Sequence, residues 1–264
     1  MLDGGRGSLG RKYEKEVHLI AYREGYFGWL GNELFQYSAT RALSLKLGVK
    51  TIFPRNNPDL HRIFNLDALD KPSEWPIGPI RVFEEPHFHF APGFWDLPDW
   101  TILSGYFQSE KYFAPYAEQI KQEFTFRDPV GWPRFKDWVS VHVRRGDYLT
   151  FPHHHPPCSV EYYRQAMAQF PGAHFIIFSD DIEWCKANLA GKDVEFSEGF
   201  SPDRDLQRMI LCDHHIIANS SYSWWGAYLG QNHNKRVIFP RTWFGPAKAG
   251  WDTKDLCPES WQAL

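Results

Sequence analysis

Apolar residues recur in short blocks along the chain, and successive blocks alternate between strand-like and helix-like spacing. Residues 17–22 are apolar-rich and end in charge and glycine, which predicts a first strand. A glycine-containing turn over 25–31 follows. Asn32 then suits a helix N-cap, and Leu34, Phe35, Ala39, Ala42, Leu43 and Leu47 form a helical stripe that stops at Gly48. Residues 49–53 predict the second strand. Strand, glycine turn, helix and strand in that order begin a parallel α/β layer.

Between residues 54 and 100 the pattern weakens, because prolines at 58, 72, 76, 79, 86, 92 and 98 interrupt any long element, and the stretch reads as mostly irregular. Order returns with a strand over 102–106 and a helix over 112–124. Residues 127–133, RDPVGWP, are the linker candidate, since Pro and Gly there neither continue a helix nor pair in a sheet. Beyond it, strands predicted over 138–143, 173–178, 193–196, 215–218 and 236–239 alternate with helices over 160–170, 182–189, 203–212 and 222–231. A doubly wound parallel sheet is the economical arrangement, with ligands beyond the carboxyl ends of its strands. No internal repeat or low-complexity segment interrupts it.

Composition narrows the function. With 264 residues and 43% apolar content the chain can bury one large core or two smaller ones. Lys and Arg total 29 against 32 Asp and Glu, so no global charge recruits nucleic acid or an anionic membrane. No apolar run approaches the roughly 20 residues of a membrane span, and the first fifteen residues lack a signal-peptide core. The chain therefore reads as soluble and unsecreted, with residues 1–16 a flexible leader. Cys158, Cys185, Cys212 and Cys257 are far apart and read as reduced thiols. Twelve Trp in a chain of mean hydropathy -0.49 suit both packing and the apolar faces of sugars.

Three polar clusters follow predicted strands of the second half: His142-Val143-Arg144-Arg145-Gly146-Asp147, Ser179-Asp180-Asp181, and Asn219-Ser220-Ser221-Tyr222-Ser223. Arginine presents a planar fork of donors to phosphate oxygens, and small hydroxyl residues opening a helix add hydroxyl and N–H donors. Together they describe an anion site suited to a diphosphate. Plainer readings stand beside this one. The arginine turn could be a solvated loop closed by an Arg–Asp ion pair, and Asn219, the serines and Asp180-Asp181 could serve as helix caps. A metal reading of Asp180-Asp181, or of His153-His154-His155, is weak, because adjacent residues rarely face one ion. His214-His215 reads as packing and surface. The turn Gly28-Trp29-Leu30-Gly31-Asn32-Glu33 lacks the spacing of a dinucleotide fingerprint but brings backbone close to a ligand.

Five stretches stand out in order along the chain: GWLGNELFQYSATRALSLKLG (28–48), GYFQSEKYF (105–113), VSVHVRRGDYL (139–149), FIIFSDDIEWCKANL (175–189) and HHIIANSSYSWWGAYL (214–229). By these the chain resembles the α-1,2-fucosyltransferases of glycosyltransferase family 11. It implies an α/β, GT-B-like fold of two Rossmann-like lobes with a cleft between them. An acceptor-side lobe over 17–130 would face a GDP-fucose-binding lobe over 131–264. The implied reaction is an inverting, metal-independent transfer of L-fucose from GDP-β-L-fucose to the 2-hydroxyl of a terminal galactose. No cofactor is implied beyond the donor itself.

By the same resemblance Arg144 grips the diphosphate, His142 and Arg145 shape its pocket, and Asp147 orients an arginine or contacts the donor. Asp180 and Asp181 serve the nucleotide side, Asn219, Ser220, Ser221 and Ser223 complete the phosphate cradle, and Asn32 reaches fucose or acceptor beside the turn glycines Gly28 and Gly31. One departure is Glu33, where the family has Gln. A carboxylate there acts as base or repels the donor. His155, Asp147 and a departing phosphate oxygen are the other base candidates. The 54–100 stretch is expected to meet the acceptor, with Trp75, Trp95 and Trp100 either packing or serving as sugar platforms. A noncatalytic carbohydrate-binding protein, or a fucosyltransferase of another linkage, remains the alternative. Expected partners are a galactose-terminated glycan and no nucleic acid. The expected location is the cytoplasm, peripheral at the membrane through a lipid-linked acceptor, or the Golgi lumen for a truncated chain.

Overall fold

A computed structural model describes residues 18–23, 28–53, 58–66 and 80–264. The expected leader, Trp75 and much of the first turn lie outside the described residues. Two parallel sheets organise the rest. The first contains β1 (Leu19–Tyr22), β2 (Lys50–Ile52), β3 (Arg81–Glu84) and β4 (Thr101–Ser104), in the order β2-β1-β4-β3. The helices of this lobe are α1 (Leu30–Leu47), α2 (Pro58–Ile63) and α3 (Ala117–Glu123).

The second sheet has the order β10-β9-β8-β5-β6-β7, from β5 (Phe135–Val143), β6 (His174–Ser179), β7 (Val194–Phe196), β8 (Cys212–Ile216), β9 (Val237–Phe239) and β10 (Gln262–Ala263). Its helices are α4 (Val160–Met167), α5 (Ile182–Leu189), α6 (Pro202–Leu211) and α7 (Ser221–Tyr228). From β5 the chain winds outward through β6 to β7, then returns to β8 on the other side of β5. That reversal opens a crevice at the carboxyl ends of β5 and β8, the place where such sheets take ligands.

The architecture is the expected GT-B-like pair of Rossmann-like lobes, and the corrections to it are local. Asn32 is not the N-cap of α1: the helix starts two residues earlier, with Trp29 in the cap position, and Gly48 closes it in the left-handed conformation. The stripe on α1 is in fact an almost wholly buried helix. Its Ser38, Thr40 and Ser44 hydroxyls therefore donate to the carbonyls four residues back, at 2.7, 2.7 and 2.8 Å. The helix expected over 112–124 breaks into two 3-10 turns before α3, because Pro115 supplies no backbone donor. The stretch expected to be irregular contains α2, the four-residue strand β3 and a 3-10 turn at Pro92–Asp96. The C-terminus adds β10 as a parallel edge strand on β9.

The largest hydrophobic cluster spans both lobes. Phe35 of α1 packs against Trp224 and Trp225 of α7 with ring centres 4.4 and 5.0 Å apart, and Phe113 stacks on Trp225. Both tryptophans are fully buried, so the Trp-Trp pair of the sequence is a packing element between lobes. All four cysteines are free. Among the described residues no helix is long and apolar enough to cross a membrane.

Candidate functional site

A cavity of about 690 Å³ lies between the lobes. The amino ends of α1 and α7 converge on it, so the unpaired N–H groups and positive ends of two helix dipoles face one space. The approach is close enough to require glycine. A Cβ on Gly31 would sit 2.3 Å from the Tyr222 nitrogen, and Gly28 enters the turn at φ +87°. Asn32, one turn into α1, accepts from the Gln108 amide at 2.8 Å and from the Ser221 hydroxyl at 2.5 Å. The first lobe is thereby joined to the second at the cavity wall.

The arginine turn after β5 is braced from β6. Arg144 lies between Asp147 at 2.7 Å and Asp180 at 3.0 Å, and its guanidinium is 5.6 Å from the Tyr148 ring centre. Asp180 also accepts from the Arg145 backbone N–H at 2.8 Å. Arg144, Asp147, Tyr148 and Asp180 all line the cavity. The ion pair of the plainer reading and the cavity position of the functional reading thus hold together.

Arg145 points elsewhere. Its side chain reaches Asp181 at 3.0 Å and lies 4.1 Å from the Trp184 ring centre, and neither Arg145 nor Asp181 lines the cavity. Asp181 caps α5 by accepting from the Trp184 N–H at 3.2 Å. Both residues support the turn from behind, which removes them from the set that meets the cavity.

The third cluster divides in the same way. Ser220 and Ser221 line the cavity, whereas the buried Ser223 hydroxyl turns back to the Ser220 and Ala218 carbonyls at 3.2 and 3.5 Å. Asn219 borders the cavity, but its amide is committed to the carbonyls of Pro156 and Trp243, both at 2.9 Å, where it pins two loops to the end of β8. Glu33 is buried and does not line the cavity, since residue 33 of α1 faces away from the residue 32 position.

His142 lines the cavity with Nδ1 buried and without a hydrogen-bond partner among the described residues. Burial and the Arg144 charge push it down to about 3, so the ring is neutral near pH 7. His155 is pushed down to about 4 by burial and by Lys248, whose ammonium donates to Nε2 at 2.9 Å. Its stacking partner is Tyr148, 5.0 Å away. Among the described residues no group of three or more His, Cys, Asp or Glu is placed to hold a metal ion.

Several lining residues escaped the sequence reading. Gln108 and Tyr148 sit inside the quoted motifs and carried a signal; Asp205, Lys248 and Trp251 carried none, because only folding brings them to the cavity. Asp205, at the start of α6, is pushed up to about 6 by burial. Trp251 joins Phe88, Tyr106 and Phe244 in an aromatic wall, with ring centres 5.0 to 5.8 Å from Trp251. Trp95 and Trp100 do not line the cavity and are packing residues.

Relatives bear on this geometry. The family model described as "Glycosyl transferase family 11" matches residues 25–249. An α-1,2-colitosyltransferase of Escherichia coli is 31% identical, covering 89% of this chain and 95% of that protein. Galactoside alpha-(1,2)-fucosyltransferase 1 of Alouatta belzebul is 30% identical, covering 79% of this chain, and the match spans 64% of that protein's length. Among solved structures, the α-1,6-fucosyltransferase NodZ from Bradyrhizobium, soaked with GDP-fucose, aligns over 81% of this chain and 93% of its own, at 12% identity and TM-score 0.50. The Arabidopsis thaliana FUT1 mutant in complex with GDP aligns over 94% of this chain and 76% of its own, at 10% identity and TM-score 0.51. At these identities the likeness is one of fold. The sequence relatives go further: the chain belongs to glycosyltransferase family 11, the family of α-1,2-fucosyltransferases that its motifs resemble.

Proposed function

We propose that the protein transfers L-fucose from GDP-β-L-fucose to the 2-hydroxyl of a terminal galactose, with inversion and without a metal ion. The observation that carries this reading is the meeting, in one interlobe cavity, of Arg144 and Asp180 from the second lobe with Asn32 and Gln108 from the first. The donor lies against the second lobe with its diphosphate near Arg144 and the amino end of α7. The acceptor enters along the aromatic wall of Phe88, Tyr106, Phe244 and Trp251, whose ring faces suit the apolar face of a sugar.

In the transfer the bond from fucose C1 to the β-phosphate oxygen breaks and a bond from C1 to the galactose 2-oxygen forms on the opposite face. The hydroxyl proton must go to a base. Glu33 faces away, Nε2 of His155 is occupied by Lys248, His142 is too weakly basic, and the Asp147 carboxylate is engaged by Arg144 at 2.7 Å. In a dissociative step the C1–O bond breaks first, the freed diphosphate shifts past the oxocarbenium-like sugar toward the acceptor, and one of its oxygens takes the hydroxyl proton late. Donors fixed at the developing phosphate charge supply the main catalytic term.

Colitose is a second reading for the transferred sugar, favoured by the relative that spans 95% of its own length in the match. The test is GDP release in EDTA with GDP-fucose, with and without lactose, for wild type and Arg144→Ala. Acceptor-stimulated release that collapses in the variant is expected. Release only from GDP-colitose selects the second reading. A wild type that neither binds GDP nor turns over donor would overturn both and favour a carbohydrate-binding protein.

A further inference from the structure

Among the described residues three Lys and Arg side chains line the cavity: Arg62, Arg144 and Lys248. Arg62 pairs with Asp59 at 3.1 Å and with Asp203 at 3.5 Å. Arg144 is held between Asp147 and Asp180. Lys248 is the one with no carboxylate partner among the described residues. It sits at the end of the 3-10 turn Pro246–Lys248, in the segment after β9 and outside every motif of the sequence.

The surroundings of Lys248 fix what it can do. Its ammonium lies 4.8 and 4.5 Å from the Phe244 and Trp251 ring centres and donates to Nε2 of His155 at 2.9 Å. An ammonium only donates, so Nε2 is the acceptor and the imidazole proton resides on Nδ1. That Nδ1–H is buried and has no partner among the described residues. His155 stacks on Tyr148, and the Arg144 guanidinium lies 5.6 Å from the centre of the same ring. Lys248, His155 and Arg144 therefore share one wall of the cavity.

Charge balance then bears on the donor. The single positive charge of Arg144 already faces two carboxylates, so the arginine turn brings no net positive charge to a diphosphate. A sugar nucleotide carries two negative charges there, and a third forms as GDP leaves. We propose that Lys248, oriented by Nε2 of His155, binds the sugar-bearing β-phosphate of the donor and neutralises the charge that develops on departing GDP. The inference rests on the GDP-sugar reading above. It also gives His155 a role as the acceptor that orients the Lys248 ammonium, in place of base.

The test compares GMP, GDP and GDP-fucose binding by calorimetry, with GDP release, in wild type, Lys248→Met and Lys248→Arg. Removing one charge-assisted contact should weaken GDP by about 10- to 100-fold in Lys248→Met. GMP, which lacks the β-phosphate, should change by no more than about twofold, and Lys248→Arg should recover most of the loss. Lys248→Gln, which can still donate to His155, is the companion should the methionine variant melt early. GDP bound by the folded neutral variants as tightly as by wild type would overturn the inference, with or without a rise in acceptor KM. Equal losses for GMP and GDP would overturn it too. A wild type that binds neither nucleotide defeats the GDP-sugar reading itself, before any variant is compared.

Discussion

The side-chain oxygen of Asn32 accepts the Ser221 hydroxyl at 2.5 Å, linking residues 189 positions apart and the two lobes at the point where their helices converge. Gln108 donates to the same oxygen, so a single amide sets the distance between α1, the turn after β4 and α7. The neighbouring Gly31 allows that approach. In Gly31→Ala the new methyl would meet the Tyr222 nitrogen and the Ser221 carbonyl carbon at 2.3 and 2.5 Å, and backbone atoms cannot swing aside as a side-chain tip can. A loss of about 1–3 kcal/mol in stability, with sharply reduced GDP release, is expected from this overpacking. Urea denaturation alongside turnover checks it; a fully active, equally stable variant would show that the lobes close independently of this contact.

The two arginines of the turn should separate in their effects. Arg144 lines the cavity, so Arg144→Lys, which keeps charge but loses the planar fork, should lower kcat by about 100-fold in line with losing an oriented oxyanion donor. Arg145 is stacked on Trp184 and paired with Asp181 behind the turn. Arg145→Ala should cost about 1 kcal/mol of stability, the order expected for a partly buried pair with a cation–π contact, and should reduce kcat less than Arg144→Lys. Melting curves and steady-state kinetics on both variants decide between this division and a shared donor role.

These contrasts explain what the sequence could and could not reveal. The placement of polar clusters at strand ends follows from the period of the apolar blocks, so Arg144, Asp180 and Ser221 were legible as a group. Which of two adjacent residues faces the cavity depends on a side-chain direction set by packing, so the sequence did not show that Arg145, Asp181 and Ser223 turn away from it. Strand β3 was hidden because its four residues, Arg81-Val82-Phe83-Glu84, are mostly exposed and flanked by prolines, so apolar alternation gave no signal. Lys248 and His155 lie 93 residues apart and meet only through folding.

Stability should fall on mild acidification. Burial pushes His142 down to about 3, His155 down to about 4 and His215 well below the ordinary range. In the unfolded chain each takes up a proton near pH 6.5; in the folded protein none does until much lower pH. Their contribution is therefore present above pH 6.5 and is lost as pH falls. Glu85 and Asp205, pushed up by burial to about 7 and about 6, have the opposite sign, because the folded state keeps protons that the unfolded chain has released. The buried histidines His142 and His215, with His155 and His214 pushed the same way, outweigh the raised carboxyls Glu85, Asp205 and Glu110, so stability falls between pH 7 and pH 5. Urea titrations across that range test the sign; stability that stays flat or rises would mean that the carboxyls outweigh the histidines.

Glu85 offers a prediction of a different kind, about position. One of its oxygens accepts the backbone N–H groups of Tyr106 and Phe107 at 2.8 and 3.0 Å, and Phe107 adopts φ +52° in the turn so held. The turn delivers Tyr106 to the aromatic wall and Gln108 to Asn32, so Glu85 positions acceptor-side groups without lining the cavity. Its raised pKa means that the neutral acid is well populated at pH 7, and a glutamine imitates that form. Glu85→Gln should therefore keep both backbone bonds and stay within about threefold of wild-type kcat/KM, a change below the worth of one ordinary hydrogen bond. Glu85→Ala leaves two N–H groups without their acceptor, which should cost about 1–3 kcal/mol of stability. The acceptor KM should rise in that variant while GDP affinity holds, because the donor's lobe is untouched. If both variants lost acceptor binding equally, the carboxylate charge would be the essential feature, and the turn would not depend on the acceptor oxygen alone.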